Sequence, residues 1–222
     1  MQNNRLGCFI TTVLDWFFPP TCMACRTLLP LEDTRRRAMW LCAPCETLFE
    51  LHEGCASFVY DGIVRDLIRD IKFRGRKHIA LGLGRLWAGL IDPQLIPHGI
   101  WMVPMPLHPN KQRERGFNQA CLLVQALADT HPHAVLVPAL ERIIDTPPQA
   151  GLHPRLRAEN VKDAFSIASG VDVRGKSIVL VDDIYTTGAS INECIRVLKD
   201  AGVAQVTWLT LAVTLKKDDR TN

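Results

Sequence analysis

The pattern of residues 177–198 predicts a buried strand followed by a helix. Residues 178–181 form an unbroken aliphatic run, which is typical of a strand buried on both faces of a parallel sheet. Asp182 and Asp183 follow where we expect that strand to end. A loop rich in hydroxyl residues and glycine then leads to residues 191–198, whose apolar positions recur at helical spacing. The predicted order is strand, acid pair, small-residue loop and helix.

Apolar segments in the rest of the chain alternate between strand and helix patterns. Helical spacing starts at Ile63, with Leu67, Ile68 and Ile71 on the same face, and it returns in residues 77–91 and about 118–129. Short apolar runs predict strands at residues 56–60, 100–105, 134–137, 164–167 and 203–214. This alternation predicts an α/β domain with a mostly parallel sheet, helices on both faces and a ligand site at the carboxyl edge.

The loop after the acid pair has the composition of a phosphate site. Backbone N–H groups at the start of a helix attract a phosphate, and Gly188 lets the chain approach it closely. The hydroxyls of Thr186, Thr187 and Ser190 add donors, while adjacent carboxylates can accept hydrogen bonds from the hydroxyls of a ribose. The alternative is an ordinary capped strand–turn–helix, which does not require two adjacent acids and two threonines.

Four of the eight cysteines form two C-x-x-C pairs separated by sixteen residues, and they are Cys22, Cys25, Cys42 and Cys45. Thiolates at this spacing suit a closed, structural zinc site in a small zinc-ribbon-like module. Redox or simply buried cysteines are one alternative, and His52 or Cys55 as a substitute ligand is another.

Two basic segments add candidate anion-binding residues. The segment after residue 105 carries Arg113 and Arg115. We expect both at the same sheet edge as the acid pair, where they would bind a pyrophosphate unless the segment is only a solvated loop. Lys72, Arg74 and Arg76 follow the first long helix and are candidates for contact with a nucleic-acid backbone or a polyphosphate, with a solvated helix end as the default.

Composition limits the function classes only weakly. The chain has 222 residues, is 47% hydrophobic and 22% charged, and its net charge of +3 is too small to establish a nucleic-acid partner. No apolar run is long enough to span a membrane, and the apolar residues 6–18 do not resemble a signal peptide, so we expect a cytoplasmic protein. Residues 170–177 match G-x-x-x-x-G-K-S, but they precede a strand instead of following one, which argues against an ATP-binding loop.

The predicted organisation has three parts. Residues 1–54 form an N-terminal helix and the cysteine module, residues 55–215 form the α/β domain, and residues 216–222 are a polar tail. Within the α/β domain, residues 145–157 contain three prolines and few apolar side chains, which predicts a mobile loop.

Taken together, these motifs resemble the ComF/GntX-like family of type I phosphoribosyltransferase-fold proteins. The resemblance rests on VPMPL with RERGFNQA, KFRGR, DDIYTTGAS and the four-cysteine module. It implies that Asp182 and Asp183 hold the ribose 2′ and 3′ hydroxyls of 5-phosphoribosyl 1-pyrophosphate, and that they are the catalytic pair if the protein is an enzyme. It also implies a magnesium ion bridging pyrophosphate and ribose oxygens. The implied 5′-phosphate cradle is Thr186, Thr187, Gly188, Ala189 and Ser190, the last standing where threonine is commoner.

Three functions remain open at this point. The first is a competence-type protein that binds phosphoribosyl pyrophosphate, a nucleotide or single-stranded DNA and serves the DNA-uptake machinery. The second is a phosphoribosyltransferase acting on an unidentified base or amine, and the third is a non-catalytic sensor of phosphoribosyl pyrophosphate. A specificity pocket for an acceptor base would separate them, and no such pocket is visible in the sequence, which also leaves the oligomeric state open.

Overall fold

The computed structural model describes residues 19–30, 40–52, 54–146 and 159–215. Its strands are β1 (Ala56–Val59), β2 (Trp101–Pro104), β3 (Val135–Leu136), β4 (Leu140–Arg142), β5 (Phe165–Ile167), β6 (Ser177–Tyr185) and β7 (Gln205–Val213). Five of them form a sheet in the order β1-β7-β6-β2-β3, in which every neighbouring pair is parallel. Strands β4 and β5 form a separate antiparallel pair.

The described residues also form α-helices. They are α1 (Ala43–Glu46), α2 (Gly62–Arg74), α3 (Lys77–Ala88), α4 (Pro109–Arg115), α5 (Gln119–Thr130) and α6 (Ala189–Asp200). Helix α2 begins where the Asp61 carboxylate accepts a hydrogen bond from the Gly62 N–H, and it ends at Gly75, whose φ of 64° is left-handed. Helix α5 begins at Asn118, whose side chain accepts from the Ala120 N–H.

Strand β6 is buried on both faces, as its aliphatic run predicts. Val179 and Val181 belong to one hydrophobic cluster with α2, α3 and α5, whereas Ile178 and Leu180 belong to a second cluster with α6 and β5. All four side chains are at most 1% exposed. The expected class, an α/β fold with a parallel sheet and helices on both faces, is therefore confirmed.

Several element boundaries differ from the sequence prediction. Strand β6 continues to Tyr185, so the acid pair lies inside the strand instead of at its end. The donor-rich segment after residue 105 is not a loop, because residues 109–115 form helix α4. Its side chains are polar and none is buried, so the segment carries no apolar periodicity that would reveal a helix. On α2, Val64 is buried in place of the expected Ile63.

Helix α3 contains Gly84 because it packs closely against α5. A Cβ atom built on Gly84 would lie 2.6 Å from the Ala126 Cβ. This close approach explains Gly84 by packing. A dinucleotide site at Gly82-Leu83-Gly84 is also disfavoured, because the third glycine and a preceding strand are missing.

The cysteine-containing segments pack against the α/β domain. Residues Cys22, Leu41 and Phe49 join the same hydrophobic cluster as β1 and α2, and the Phe49 and Phe58 rings lie 5.1 Å apart. The Val59 N–H donates to the Glu50 carbonyl at 2.8 Å, which ties this region to strand β1. The domain boundary at residue 54 stays a prediction, and the contacts described above connect the residues before it with those after it.

Some predictions fall outside the described residues. These are the helix at 6–18, the tail at 216–222 and most of the loop at 145–157. Within the described ranges, no helix is long and apolar enough to cross a membrane. The cytoplasmic location stays a prediction.

Candidate functional site

The acid pair lies at the carboxyl edge of the sheet. Strand β2 ends at Pro104, and the Met105 N–H makes a final bond to the Val181 carbonyl at 2.8 Å, so β6 extends beyond this neighbour. Asp182 and Asp183 are the next residues of β6, and both line a cavity of about 360 Å³. Ligands of open parallel sheets bind at this edge, so the cavity is the candidate site.

Asp183 is compensated by a lysine from α2. Its side chain is 7% exposed, and its Oδ2 lies 2.8 Å from the Lys72 Nζ. A buried carboxylate needs such a partner, because desolvation disfavours its charged form. Lys72 also lines the cavity, so the acid pair and this lysine face the same space.

Asp182 has a different environment from its neighbour. Its Oδ1 accepts a hydrogen bond from the Asp183 N–H at 2.8 Å. Burial and the adjacent Asp183 carboxylate raise the pKa of Asp182 to about 8, against the opposing effect of the Lys72 ammonium. The Asp182 carboxyl group therefore gives up its proton less readily than an exposed aspartate does.

The loop after β6 forms a wall of the cavity and the start of helix α6. Gly188 precedes the helix with a φ of 75°, and as the N-cap residue it has no side chain that could cap the first turn. Uncapped N–H groups at a helix start suit an anion. Of the predicted cradle residues, Thr186, Gly188, Ala189 and Ser190 line the cavity. Thr187 does not, although its buried Oγ1 has no hydrogen-bond partner among the described residues.

The Tyr185 ring covers this glycine. A Cβ atom on Gly188 would lie 2.6 Å from the Tyr185 Oη. The ring is itself stacked on Trp208 with 4.8 Å between centroids. Glycine is therefore required here for both its left-handed φ and its lack of a side chain.

The two predicted pyrophosphate ligands occupy different places on α4. Arg115 lines the cavity, and desolvation lowers its pKa while Asp183 and Asp182 oppose the shift. Arg113 is exposed, is not part of the cavity wall, and donates to the Asn110 side chain.

Two further cations of the cavity were not identified from the sequence. Lys111 lies one helical turn before Arg115 on α4, and Arg142 ends strand β4. Burial lowers the pKa of both. The Arg142 guanidinium stands 5.4 Å from the Phe165 ring centroid and donates to Thr146, while its buried Nε has no hydrogen-bond partner among the described residues. A helical interpretation of residues 109–115 would have found Lys111, whereas no local signal marks Arg142.

The cavity therefore combines four cations with two acids. Its cations come from α2, α4 and β4, and its acids come from β6. This charge balance favours an anionic ligand that also carries hydroxyl groups.

The structure separates the three residues predicted to contact nucleic acid. Lys72 is in the cavity, whereas Arg74 and Arg76 both bond to Asp70, at 2.9 and 2.6 Å. Arg74 is the most exposed of the three, with 64% of its side chain accessible.

The four cysteines of the two C-x-x-C pairs come together. Their sulfur atoms all lie within 4.8 Å of one another, and the Cys25 and Cys42 sulfurs are 3.6 Å apart. A tetrahedral zinc site with Zn–S bonds of about 2.3 Å requires sulfurs about 3.8 Å apart. His52 and Cys55 are not part of this cluster. The arrangement can hold a metal ion.

Comparisons with known proteins agree with this architecture. The Phosphoribosyl transferase domain family matches residues 143–221, which include the acid pair and α6. Competence protein F of Haemophilus influenzae is 33% identical over 145 residues, which cover 63% of each chain. DNA utilization protein YhgH of Salmonella typhi is 35% identical over 156 residues, which cover 67% of this chain and 66% of that protein. The matches thus span slightly less than two thirds of these relatives' own length.

A longer but weaker match extends over more of the chain. Competence protein ComFC of Bacillus subtilis is 26% identical over 206 residues, which cover 86% of this chain and 82% of that protein. Among solved structures, a hypoxanthine phosphoribosyltransferase from Staphylococcus aureus has a TM-score of 0.37 at 14% identity, covering 62% of this chain and 64% of that one. A likeness of that size adds no argument about function.

The parallel sheet, the acid-pair loop and the family match define a phosphoribosyltransferase-type domain. Together with the four-cysteine cluster and the competence-named relatives, they confirm the resemblance to the ComF/GntX-like family.

Replacement of the cradle glycine should destabilise the protein more than its backbone angle alone predicts. We expect Gly170→Ala, at a φ of 78° with no atom within 4 Å, to lose about 1 kcal/mol. Gly188→Ala has the same backbone penalty and also displaces the stacked Tyr185 ring, so it should lose at least about 1 kcal/mol more. Urea denaturation measures both losses, and equal values would mean that the Tyr185 ring is free to move.

Proposed function

We propose that this protein binds 5-phosphoribosyl 1-pyrophosphate in the cavity at the carboxyl edge of its sheet. The observation that carries the proposal is the sharing of one cavity by an acid pair, an uncapped helix start and a group of cations. These features match two ribose hydroxyls, a 5′-phosphate and a pyrophosphate in turn.

The acid pair favours a ribose phosphate over a DNA strand at this site. Deoxyribose in DNA has no 2′ hydroxyl, and its 3′ oxygen is esterified. A DNA strand would therefore leave Asp182 and Asp183 without hydroxyl donors and bring phosphates next to them. The competence-type function is thus better supported at a second surface, described below.

Each part of the ligand has a proposed group of contacts. The residues expected at the 5′-phosphate are Thr186, Thr187, Gly188, Ala189 and Ser190. The pyrophosphate is expected near Lys111, Arg115 and Arg142, which line the same cavity. Arg113, on the exposed side of α4, should contribute less than Arg115.

Magnesium fits this site as part of the ligand complex. Outside the cysteine cluster, the described residues contain no group of three or more Asp, Glu, His or Cys side chains placed to hold an ion. Magnesium prefers oxygen ligands and is commonly bound through substrate phosphates. When bound, it would neutralise part of the pyrophosphate charge.

Replacement of the acid pair should abolish binding while leaving the fold intact. We expect Asp182→Asn with Asp183→Asn to weaken binding of magnesium phosphoribosyl pyrophosphate at least about 100-fold, because each charged hydrogen bond contributes about 1.5–3 kcal/mol. Calorimetry measures this, with Asp172→Asn as a control that removes an exposed acid paired to Arg174. Unchanged affinity in the double variant would contradict the site.

The affinity for phosphoribosyl pyrophosphate should also depend on pH. Hydrogen bonds from ribose favour ionised Asp182, whose pKa before binding is raised to about 8, so binding should release a proton. Affinity should therefore rise from pH 7 to about 8 and then level off. This range lies above the pH of about 6 at which phosphate groups titrate.

Incubation of labelled phosphoribosyl pyrophosphate with candidate bases separates a transferase from a binding protein or sensor, since only a transferase releases pyrophosphate in a base-dependent manner.

A second candidate function, binding of single-stranded DNA, is favoured by an open groove next to α2. Phe73 is 79% exposed and lines this groove of about 910 Å³. The groove also contains the arginines Arg26, Arg69, Arg74 and Arg76, together with Asp66 and Asp70. An exposed aromatic ring among cations suits single strands, because bases stack on the ring while cations follow the backbone.

We expect Phe73→Ala to weaken binding of a single-stranded oligonucleotide about 5- to 100-fold, because stacking contributes about 1–3 kcal/mol per base. Phe73→Trp should retain affinity. Arg74→Gln should reduce the dependence on salt, because a phosphate contact is lost. Fluorescence anisotropy at several salt concentrations measures these changes, and equal affinity of the alanine variant and the parent protein would exclude this groove.

The cysteine cluster supports the proposal of one structural zinc ion per chain. We expect Cys22→Ser to lose the bound zinc and at least about 2 kcal/mol of stability, because this buried sulfur lies in the shared hydrophobic cluster. Cys55→Ser, at an exposed cysteine outside the cluster, is the matched control. Elemental analysis of the purified protein measures the zinc content per chain, and absence of zinc from the parent protein would contradict this proposal.

A further inference from the structure

We propose that Lys72 is a positioning residue of the ligand cavity, which fixes Asp183 and sets the charge of the acid pair. Its predicted effect on ligand affinity rests on the proposed phosphoribosyl pyrophosphate site, whereas its effect on the acid pair does not. The sequence had suggested a different role, contact with nucleic acid, because Lys72 stands in a basic segment with Arg74 and Arg76.

The contact between Lys72 and Asp183 is short and sheltered. The Nζ and Oδ2 atoms are 2.8 Å apart, and the two side chains are 23% and 7% exposed. Ion pairs this sheltered from water are screened much less than surface pairs. Since both residues line the cavity, the ammonium is next to the place where a ligand would meet the acid pair.

The last turn of α2 holds the lysine in place. Ile68 and Ile71 are at most 3% exposed and fix the inner face of this turn to the hydrophobic cluster. On the outer side, Arg74 and Arg76 both bond to the Asp70 carboxylate. The lysine is therefore presented by a packed helix and not by a solvated chain end.

The charged and titratable groups around Asp182 come from five elements. They are Lys72 on α2, Arg115 on α4, Arg142 on β4, Asp183 on β6 and Cys194 on α6. Burial and Asp183 raise the pKa of Asp182, while Lys72 opposes them. Removal of the ammonium should therefore raise this pKa further, so that ionising Asp182 for a hydroxyl ligand requires a higher pH.

The ammonium also matters for the charge of the ligand. Without it, the cavity would keep two acids against three cations, and Asp183 would remain buried without its charged partner. The lining of the cavity would then be less positive, which disfavours an anionic ligand. Both effects weaken binding in the same direction.

The first experiment compares two changes in the same helix. Lys72→Met and Arg65→Gln each remove one positive charge from α2, but only Lys72 touches the acid pair, whereas Arg65 is exposed and pairs with Asp61. Calorimetry with magnesium phosphoribosyl pyrophosphate from pH 6.5 to 9 should show at least about tenfold weaker binding for Lys72→Met at pH 7 and a rise in affinity displaced to higher pH. Arg65→Gln should stay within about twofold of the parent, and Lys72→Arg should recover most of the affinity.

The second experiment needs no ligand. Carbon-13 NMR of the aspartate carboxyl groups, assigned with Asp182→Asn, follows the titration of Asp182 in the ligand-free protein. Lys72→Met should move its midpoint upward, and Arg65→Gln should leave it in place. If Lys72→Met does not fold, Lys72→Gln, which keeps a hydrogen-bond donor without the charge, provides the same comparison.

The outcomes separate the two proposals. A parent protein that does not bind phosphoribosyl pyrophosphate refutes the proposed function, while the NMR titration still tests Lys72. An unchanged Asp182 midpoint in the lysine variants overturns the role of Lys72 in the acid pair. So does a Lys72→Met protein that keeps its affinity for phosphoribosyl pyrophosphate but loses binding of single-stranded DNA.

Discussion

Burying two adjacent carboxyl groups next to an apolar strand is costly, and the surroundings of Asp182 and Asp183 follow from that cost. Because neighbouring side chains of a strand point to opposite faces, the two acids have different surroundings. Lys72 contacts Asp183, whereas Asp182 is left with a raised pKa. The site is therefore asymmetric before any ligand binds.

The parallel sheet makes it possible to assemble the compensating charges from distant parts of the chain. The sheet brings the ends of its strands to one edge, where the loops and helices that follow them meet. Lys72 reaches this edge from the helix after β1, and Arg115 reaches it from the helix after β2. Arg142 comes from the small antiparallel pair beside the sheet. Residues from three distant parts of the chain thus line one cavity with the short motif on β6.

This division also explains what the sequence could predict. The acid pair with its loop and the four cysteines are local patterns, whose spacing carries their chemistry, so both could be located without coordinates. Helix α4 was missed because it buries no side chain and has no apolar face. The sequence grouped Lys72 with Arg74 and Arg76 because it shows only a local basic segment, whereas the ion-pair partner Asp183 lies more than a hundred residues away along the chain. Arg142 had no local signal for the same reason.

Two consecutive residues of α2 face two surfaces of different chemistry. Lys72 lines the acid-pair cavity, whereas Phe73 lines the groove beside the cysteine cluster. Neighbouring residues of a helix point about 100° apart, so one turn can face both places. The acid pair accepts hydrogen bonds from hydroxyl groups, whereas the exposed ring among arginines suits stacked bases, so the two surfaces favour different ligands. A DNA strand at the proposed groove would therefore not have to compete with a phosphorylated ribose at the proposed cavity, although this turn of α2 contributes side chains to both places.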